Sequence, residues 1–243
     1  MQATINTFRS PYFALLEAYA PQLLAGPDAR PGTQKAALTL AVGQVGVFGV
    51  LGPQSDWYSD TDYSAIRAGV KRALADPTVK TVDLVIDSPG GSVLGLPETA
   101  DVIHAANRVK PVRAFVTGIA ASAAYWLASQ ASSITLTPSG EVGSVGVLDL
   151  HADISKALEL QGVKLTAVTA GEHKTERAPF TPLSDDARAH MQEGVNAWYG
   201  DFLSTIRRGR GARVSASSNY GGGRMLSARE ALAAGMVDFI SSL

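Results

Sequence analysis

The chain has 243 residues, enough for one α/β domain with appendages and for a full hydrophobic core. Hydrophobic residues make up 46% and charged residues 18%, and the formal net charge is −1, so no global pull toward nucleic acid or anionic lipid is expected. There are no cysteines, which excludes disulfides, thiol catalysis and thiolate-bound metals and fits an intracellular protein.

In chain order, residues 1–26 lack the basic start and long apolar run of a secretory leader. They read as a short amphipathic helix from about Pro11 to Leu24. The Pro- and Gly-rich stretch from Ala25 to Lys35 predicts a linker. The chain then divides into a helix and linker, 1–35, and a main domain, 36–243. LTLAVGQVGVFGV predicts one or two strands, and YSAIRAGVKRALAD an amphipathic helix closed by Pro77. VDLVID is a buried strand, PETADVIHAANRV a helix with Pro97 in its first turn, and VRAFVTG a strand. ASAAYWLASQ follows as a helix, then SSITLTP and SVGVLDL as strands, ISKALELQGV as a helix and KLTAVTA as a strand. A long helix runs from Ser184 to Arg208, with a serine cap and acidic first turn in LSDDAR. Strands separated by helices of this length predict βαβ units and a mainly parallel sheet. The uncharged stretch Ala114 to Pro138 is too diluted by Ser, Thr, Gly and Gln to span a membrane, so no stable membrane insertion is expected. Arg207, Arg208, Arg210 and Arg213 read as a solvated helix end.

Three segments lie where open α/β sheets place their ligands, each following a predicted strand. The first is Asp87-Ser88-Pro89-Gly90-Gly91, whose glycines allow positive φ and bring bare N–H groups to a cleft, as an oxyanion requires. Taken alone it is equally a strand-exit turn. The second, Gly118 to Trp126, places Ser122 among small residues where a strand passes into a helix. A serine there is ordinarily a cap, and the segment is not the G-x-S-x-G elbow of α/β-hydrolases. The third, Gly171 to Phe180, contains Lys174. A loop lysine is ordinarily a solvated charge, and a lysine base needs its pKa brought from about 10.4 toward 7–8. Spacing alone does not select it.

The set SPGG, GIAASAAYW, GSVGV and GEHKTERAPF, followed by RMLSAREALAAGMVDFI, resembles the signal peptide peptidase A family. Within it the set is most similar to phage and prophage head maturation proteases, members of the Clp-protease/crotonase superfamily. The likeness runs from about Ala36 to Ile240. It implies an α/β fold of repeated ββα units with a mainly parallel sheet and C-terminal helices. It implies a serine endopeptidase with Ser122 as nucleophile, Lys174 as general base and Ser144 orienting the lysine amine. The N–H groups of Gly91 (or Gly90) and of Ala123 would form the oxyanion hole. No cofactor and no metal are implied. The implied partners are a polypeptide substrate, such as a capsid, portal or scaffold protein, and further copies of the chain in a homo-oligomer. The implied location is the host cytoplasm or a phage prohead. Relatives often have glycines where this chain has Ala123 and Ala124; the added methyl groups predict cleavage after small residues, Ala, Ser or Gly.

Other readings of the same residues are a cellular signal-peptide-peptidase-like protease, a Ser122–His151–Asp triad, and an acyl-CoA enzyme of the crotonase type using Glu98 or Glu141. His104 and His190 read as surface or packing residues, and His173 adjoins Lys174.

Overall fold

The computed structural model describes residues 12–15, 43–53, 59–215 and 220–242. Strand β1 is Tyr12–Leu15. It corrects the expected helix from Pro11 to Leu24 over those four residues; the remainder of that helix and the linker lie outside the described residues. Strands β2 (Gln44–Gly52) and β3 (Thr61–Asp62) lead into helix α1 (Tyr63–Ala75). Asp62 caps α1 by accepting the Ala65 N–H at 2.6 Å, which satisfies one of the helix's orphan donors. Then come β4 (Val82–Ser92), α2 (Leu96–Ala106, with Pro97 in its first turn), β5 (Val112–Ala121), α3 (Ala123–Ala128) and β6 (Ser133–Leu136). The rest is β7 (Glu141–Gly143), β8 (Leu148–Asp149), α4 (Ser155–Leu160), α5 (Asp185–Arg210), β9 (Met225–Ser227), α6 (Ala228–Ala233) and β10 (Phe239–Ile240).

The sheet is mainly parallel, as its alternation with helices predicts. Its spine runs β2-β4-β5-β6-β10, each neighbour parallel to the next. Buried apolar residues alternate along the strands, for example Val82, Leu84 and Ile86 on β4 and Val112, Ala114 and Val116 on β5. Helix α3 is buried on all sides, which explains its lack of charge and its small residues. Trp126 stacks on Phe202 of α5 with ring centroids 4.6 Å apart.

Three expectations fail in instructive ways. KLTAVTA forms no strand: residues 163–169 lack regular structure, and Leu165 and Val168 are exposed. SVGVLDL contributes only the two-residue β8, while the unforeseen β7 forms just before it. The arginine cluster is only partly solvated: Arg207, Arg208 and Arg213 are exposed, as expected, but Arg210 is not. Arg210 is fully buried and meets Asp238 with two hydrogen bonds, 2.7 and 3.0 Å, while Arg208 reaches Asp101 and Gln130.

Asp238 also accepts the Ile134 N–H at 2.8 Å, so one carboxylate ties the end of α5 to β6. Burial pushes its pKa upward, but hydrogen bonds from Arg210 and Ile134 and the nearby charges of Arg210 and Arg213 outweigh this and hold it below the usual value. A carboxylate depressed by folding stabilises fully above its unfolded pKa of about 3.9, and that contribution disappears as pH falls through the lower folded value. Arg210→Ala takes from the carboxylate its buried ion-pair partner, leaving the Ile134 N–H and the longer Arg213 contact, and is expected to cost about 3–5 kcal/mol. Thermal melts from pH 7 to pH 3 check this: the gap between wild type and Asp238→Asn should narrow below about pH 4.

Candidate active site

Ser122 sits between the last residue of β5 and the first of α3, with no linker. A one-residue passage from strand to helix demands an unusual backbone, and Ser122 has φ 53° and ψ −120°. Such strain costs a non-glycine residue on the order of 1–3 kcal/mol and persists only where the surroundings enforce it. They do so here: the Ser122 N–H donates to the Gly143 carbonyl at 2.8 Å, and its carbonyl accepts the Trp126 N–H at 3.0 Å. The Ser122 hydroxyl is 3.5 Å from the Gly146 carbonyl, and the residue is buried. Ala123, in the first turn of α3, puts a backbone N–H beside it.

Strand β4 does not stop at Asp87 but continues through Ser-Pro-Gly-Gly-Ser. Its pairing with β5 ends at Ser88↔Ala120 after a register shift, so the two strands part at their carboxyl ends. Ser88 shapes the turn: its hydroxyl donates to the Gly49 carbonyl at 2.6 Å and accepts the Gly90 N–H at 3.1 Å. The Gly90 N–H is therefore engaged by the Ser88 hydroxyl. Gly90 has φ 100°, and a Cβ on Gly91 would overlap the Leu51 carbonyl oxygen, so both positions require glycine. The Asp87 carboxylate accepts the Ile119 N–H at 3.0 Å and holds β4 and β5 together where their pairing ends.

Ser144 arrives by sheet pairing. β7 lies parallel to the end of β5, with Ala121↔Gly143, so Ser144 follows directly beside Ser122. Its φ of 51° is also left-handed, and its N–H donates to the Arg224 carbonyl at 2.9 Å. Ser122, the Gly90–Gly91 turn and Ser144 thus converge at the carboxyl ends of three parallel strands.

Lys174 does not join them. It is exposed, in a segment that follows no strand, and its amine makes no hydrogen bond or ion pair among the described residues. The segment is anchored just beyond it: Arg177 pairs with Asp149 of β8 at 2.6 Å, and the Ile154 N–H donates to the Pro179 carbonyl. Burial raises the Asp149 pKa, and the charge and hydrogen bond of Arg177 work against that rise.

The rival assignments are not assembled either. The His151 ring contacts the Thr181 carbonyl at 3.3 Å rather than Ser122, and Asp149 is taken by Arg177. Glu98 and Glu141 are exposed. His173 lies between Glu172 and Glu176, and with Glu176 and Asp186 it brings three donor atoms within 4.8 Å of one another. Two members of that cluster are exposed, and surface charge accounts for it.

Sequence reasoning missed the roles of Ser88, Asp87 and the Gly146 carbonyl. Ser88 and Asp87 stood inside the quoted glycine segment, but only the register of β2, β4 and β5 reveals what they hold.

Residues 104–243, more than half of the chain, match the model of "Peptidase family S49". The chain is 34% identical over 178 residues to capsid assembly protease C of Escherichia phage lambda, covering 73% of this chain and 40% of that protein. It is 34% identical over 166 residues to head-tail preconnector protein GP5 of Enterobacteria phage P21, covering 68% of this chain and 33% of that protein. With protease 4 of Salmonella typhi the identity is 29% over 180 residues, 74% of this chain and 28% of that protein. The chain therefore spans less than half the length of each of these relatives. The matched span contains Ser122, Ser144 and Lys174, and on that match together with the mainly parallel α/β fold, the chain belongs to peptidase family S49.

Proposed function

We propose that the chain is a serine endopeptidase in which Ser122 is the nucleophile and Lys174 the general base, acting on a capsid, scaffold or portal polypeptide in phage head maturation. The observation that carries this is Ser122 itself. It is a buried serine held in a strained conformation at a strand–helix junction, with the Ala123 N–H on one side and the Gly91 strand on the other. The two phage relatives support the choice of substrate.

In this mechanism the neutral lysine amine takes the proton of Ser122 as its oxygen attacks the scissile carbonyl. The Gly91 and Ala123 N–H groups hold the oxyanion, and each such donor contributes on the order of 10²–10³ in rate. The lysinium protonates the departing amine, and water repeats the sequence on the acyl-enzyme. Ser144, beside the nucleophile, orients the amine. The peptidase unit is residues 36–243, and it works in the host cytoplasm or the prohead. Among the described residues no helix is long and apolar enough to cross a membrane.

The lysine reaches Ser122 from a neighbouring copy. Lys174 is exposed, and the chain leading to it carries Leu160 at 90% and Val168 at 95% exposure, an apolar surface that a second copy would cover. The experiment mixes two inactive variants. Ser122→Ala and Lys174→Ala should each be inactive alone, and their refolded mixture should regain a measurable fraction of wild-type peptide hydrolysis. A mixture as inactive as its components would place both residues of the dyad in one chain.

A further inference from the structure

Residues 82–88 of β4 have β2 along one edge and β5 along the other. Beyond Ser88↔Ala120 the β5 pairing ends, while β2 continues alongside as far as Gly91. The edge of Gly90–Ser92 that β5 vacates can accept another strand. Strand β1 accepts it, antiparallel, with Leu15↔Gly90, Ala14↔Gly91 and Phe13↔Ser92. Its opposite edge pairs antiparallel with β8, as Tyr12↔Asp149 and Phe13↔Leu148. The segment that enters β8 carries Ser144 and Gly146, whose carbonyl faces the Ser122 hydroxyl. The N-terminal strand therefore runs between these two backbone segments, in the manner of an extended peptide added to a sheet. Ser122, Gly90 and Gly91 are all buried in this arrangement. The end of β4 that receives the strand is held in place by Tyr63, whose hydroxyl donates to the Ser92 carbonyl at 2.6 Å.

We propose that this N-terminal segment is a substrate of the chain's own site, cut between Ala14 and Leu15. The inference rests on the reading of Ser122 as nucleophile and adds a bond that this chain itself supplies. Register selects the bond: Ala14 stands opposite Gly91, the proposed oxyanion donor. Composition agrees, because alanine is among the small residues expected before the scissile bond. In the first step the Ser122 oxygen bonds to the Ala14 carbonyl carbon and the bond from that carbon to the Leu15 nitrogen breaks. The serine proton passes through the lysine amine to the departing Leu15 amine. Water then bonds through its oxygen to the Ala14 carbonyl carbon, the bond from that carbon to the Ser122 oxygen breaks, and the water's proton passes through the lysine to the released Ser122 oxygen. The products are a carboxylate at Ala14 and a free amine at Leu15, and the slot is emptied for other polypeptides.

The test incubates the purified full chain and its Ser122→Ala variant and follows intact mass and N-terminal sequence. In parallel, both receive a synthetic peptide of residues 8–20 and casein as an unrelated substrate. The expected result is a wild-type species that begins at Leu15, the peptide cut at the same bond, and neither event with Ser122→Ala. A peptide carrying Ala14→Trp should be cut at least tenfold more slowly. If wild type digests casein but keeps its first residues and leaves the peptide whole, the self-processing proposal is overturned while the peptidase reading stands. Cleavage of the peptide only at another bond would equally overturn it. If wild type digests nothing, the peptidase reading fails and the proposal with it.

Discussion

Ser122→Ala is expected to lower peptide hydrolysis by on the order of 10⁴-fold or more while leaving the fold intact. The activity loss follows from removing the atom proposed to bond to substrate. The fold should survive because the hydroxyl's recorded contact is a long one, 3.5 Å to the Gly146 carbonyl, while the backbone bonds to Gly143 and Trp126 remain. Alanine keeps the left-handed strain at φ 53°, whereas glycine does not. Ser122→Gly should thus be as inactive as Ser122→Ala yet more stable by about 1 kcal/mol, readable from denaturant midpoints. That pairing of lost activity with gained stability distinguishes a nucleophile held under strain from an ordinary helix cap, whose loss destabilises.

Gly91→Ala is the second large effect. An added Cβ would overlap the Leu51 carbonyl oxygen and come within 2.6 Å of the Leu51 nitrogen, and backbone atoms of a central strand give way little. The strand must move, carrying the proposed oxyanion donor with it. The expected loss is on the order of 10²–10³ in kcat, the usual effect of removing one such donor. Overpacking should cost about 1–3 kcal/mol of stability. Gly200→Ala is the control: the position lies in α5 with nothing within 4 Å of a new Cβ. It should leave kcat unchanged and stabilise the helix by about 0.5–1 kcal/mol.

The sequence carried much of this because local and global preferences agree over the main domain. Alternating apolar residues in VDLVI and VRAFV, the Ser184 cap and Pro97 in a first turn each named an element that forms. Ser122 and the two glycines were legible as a pattern of small residues at strand ends. What stayed hidden depends on pairing between distant segments. Pro89 and two glycines read as the end of a strand, yet β4 continues because β2 and β1 both pair with Gly90 and Gly91. Tyr12–Leu15 takes its conformation from the edges it joins, which periodicity over so few residues does not reveal. KLTAVTA has the composition of a strand but finds no neighbour among the described residues. Arg210 read as surface charge because its partner, Asp238, lies 28 positions away. The lysine was the least legible of all: resemblance selected it, and a single chain leaves it exposed.

The central claim is that a lysine, not a histidine, serves Ser122. Its most direct test is kcat/KM for one peptide substrate, measured side by side for wild type, Ser122→Ala, Lys174→Ala and His151→Ala. The account predicts that Lys174→Ala falls to the level of Ser122→Ala, while His151→Ala, whose ring contacts the Thr181 carbonyl, stays within about tenfold of wild type. A His151→Ala enzyme as inactive as Ser122→Ala, beside an active Lys174→Ala, would contradict it.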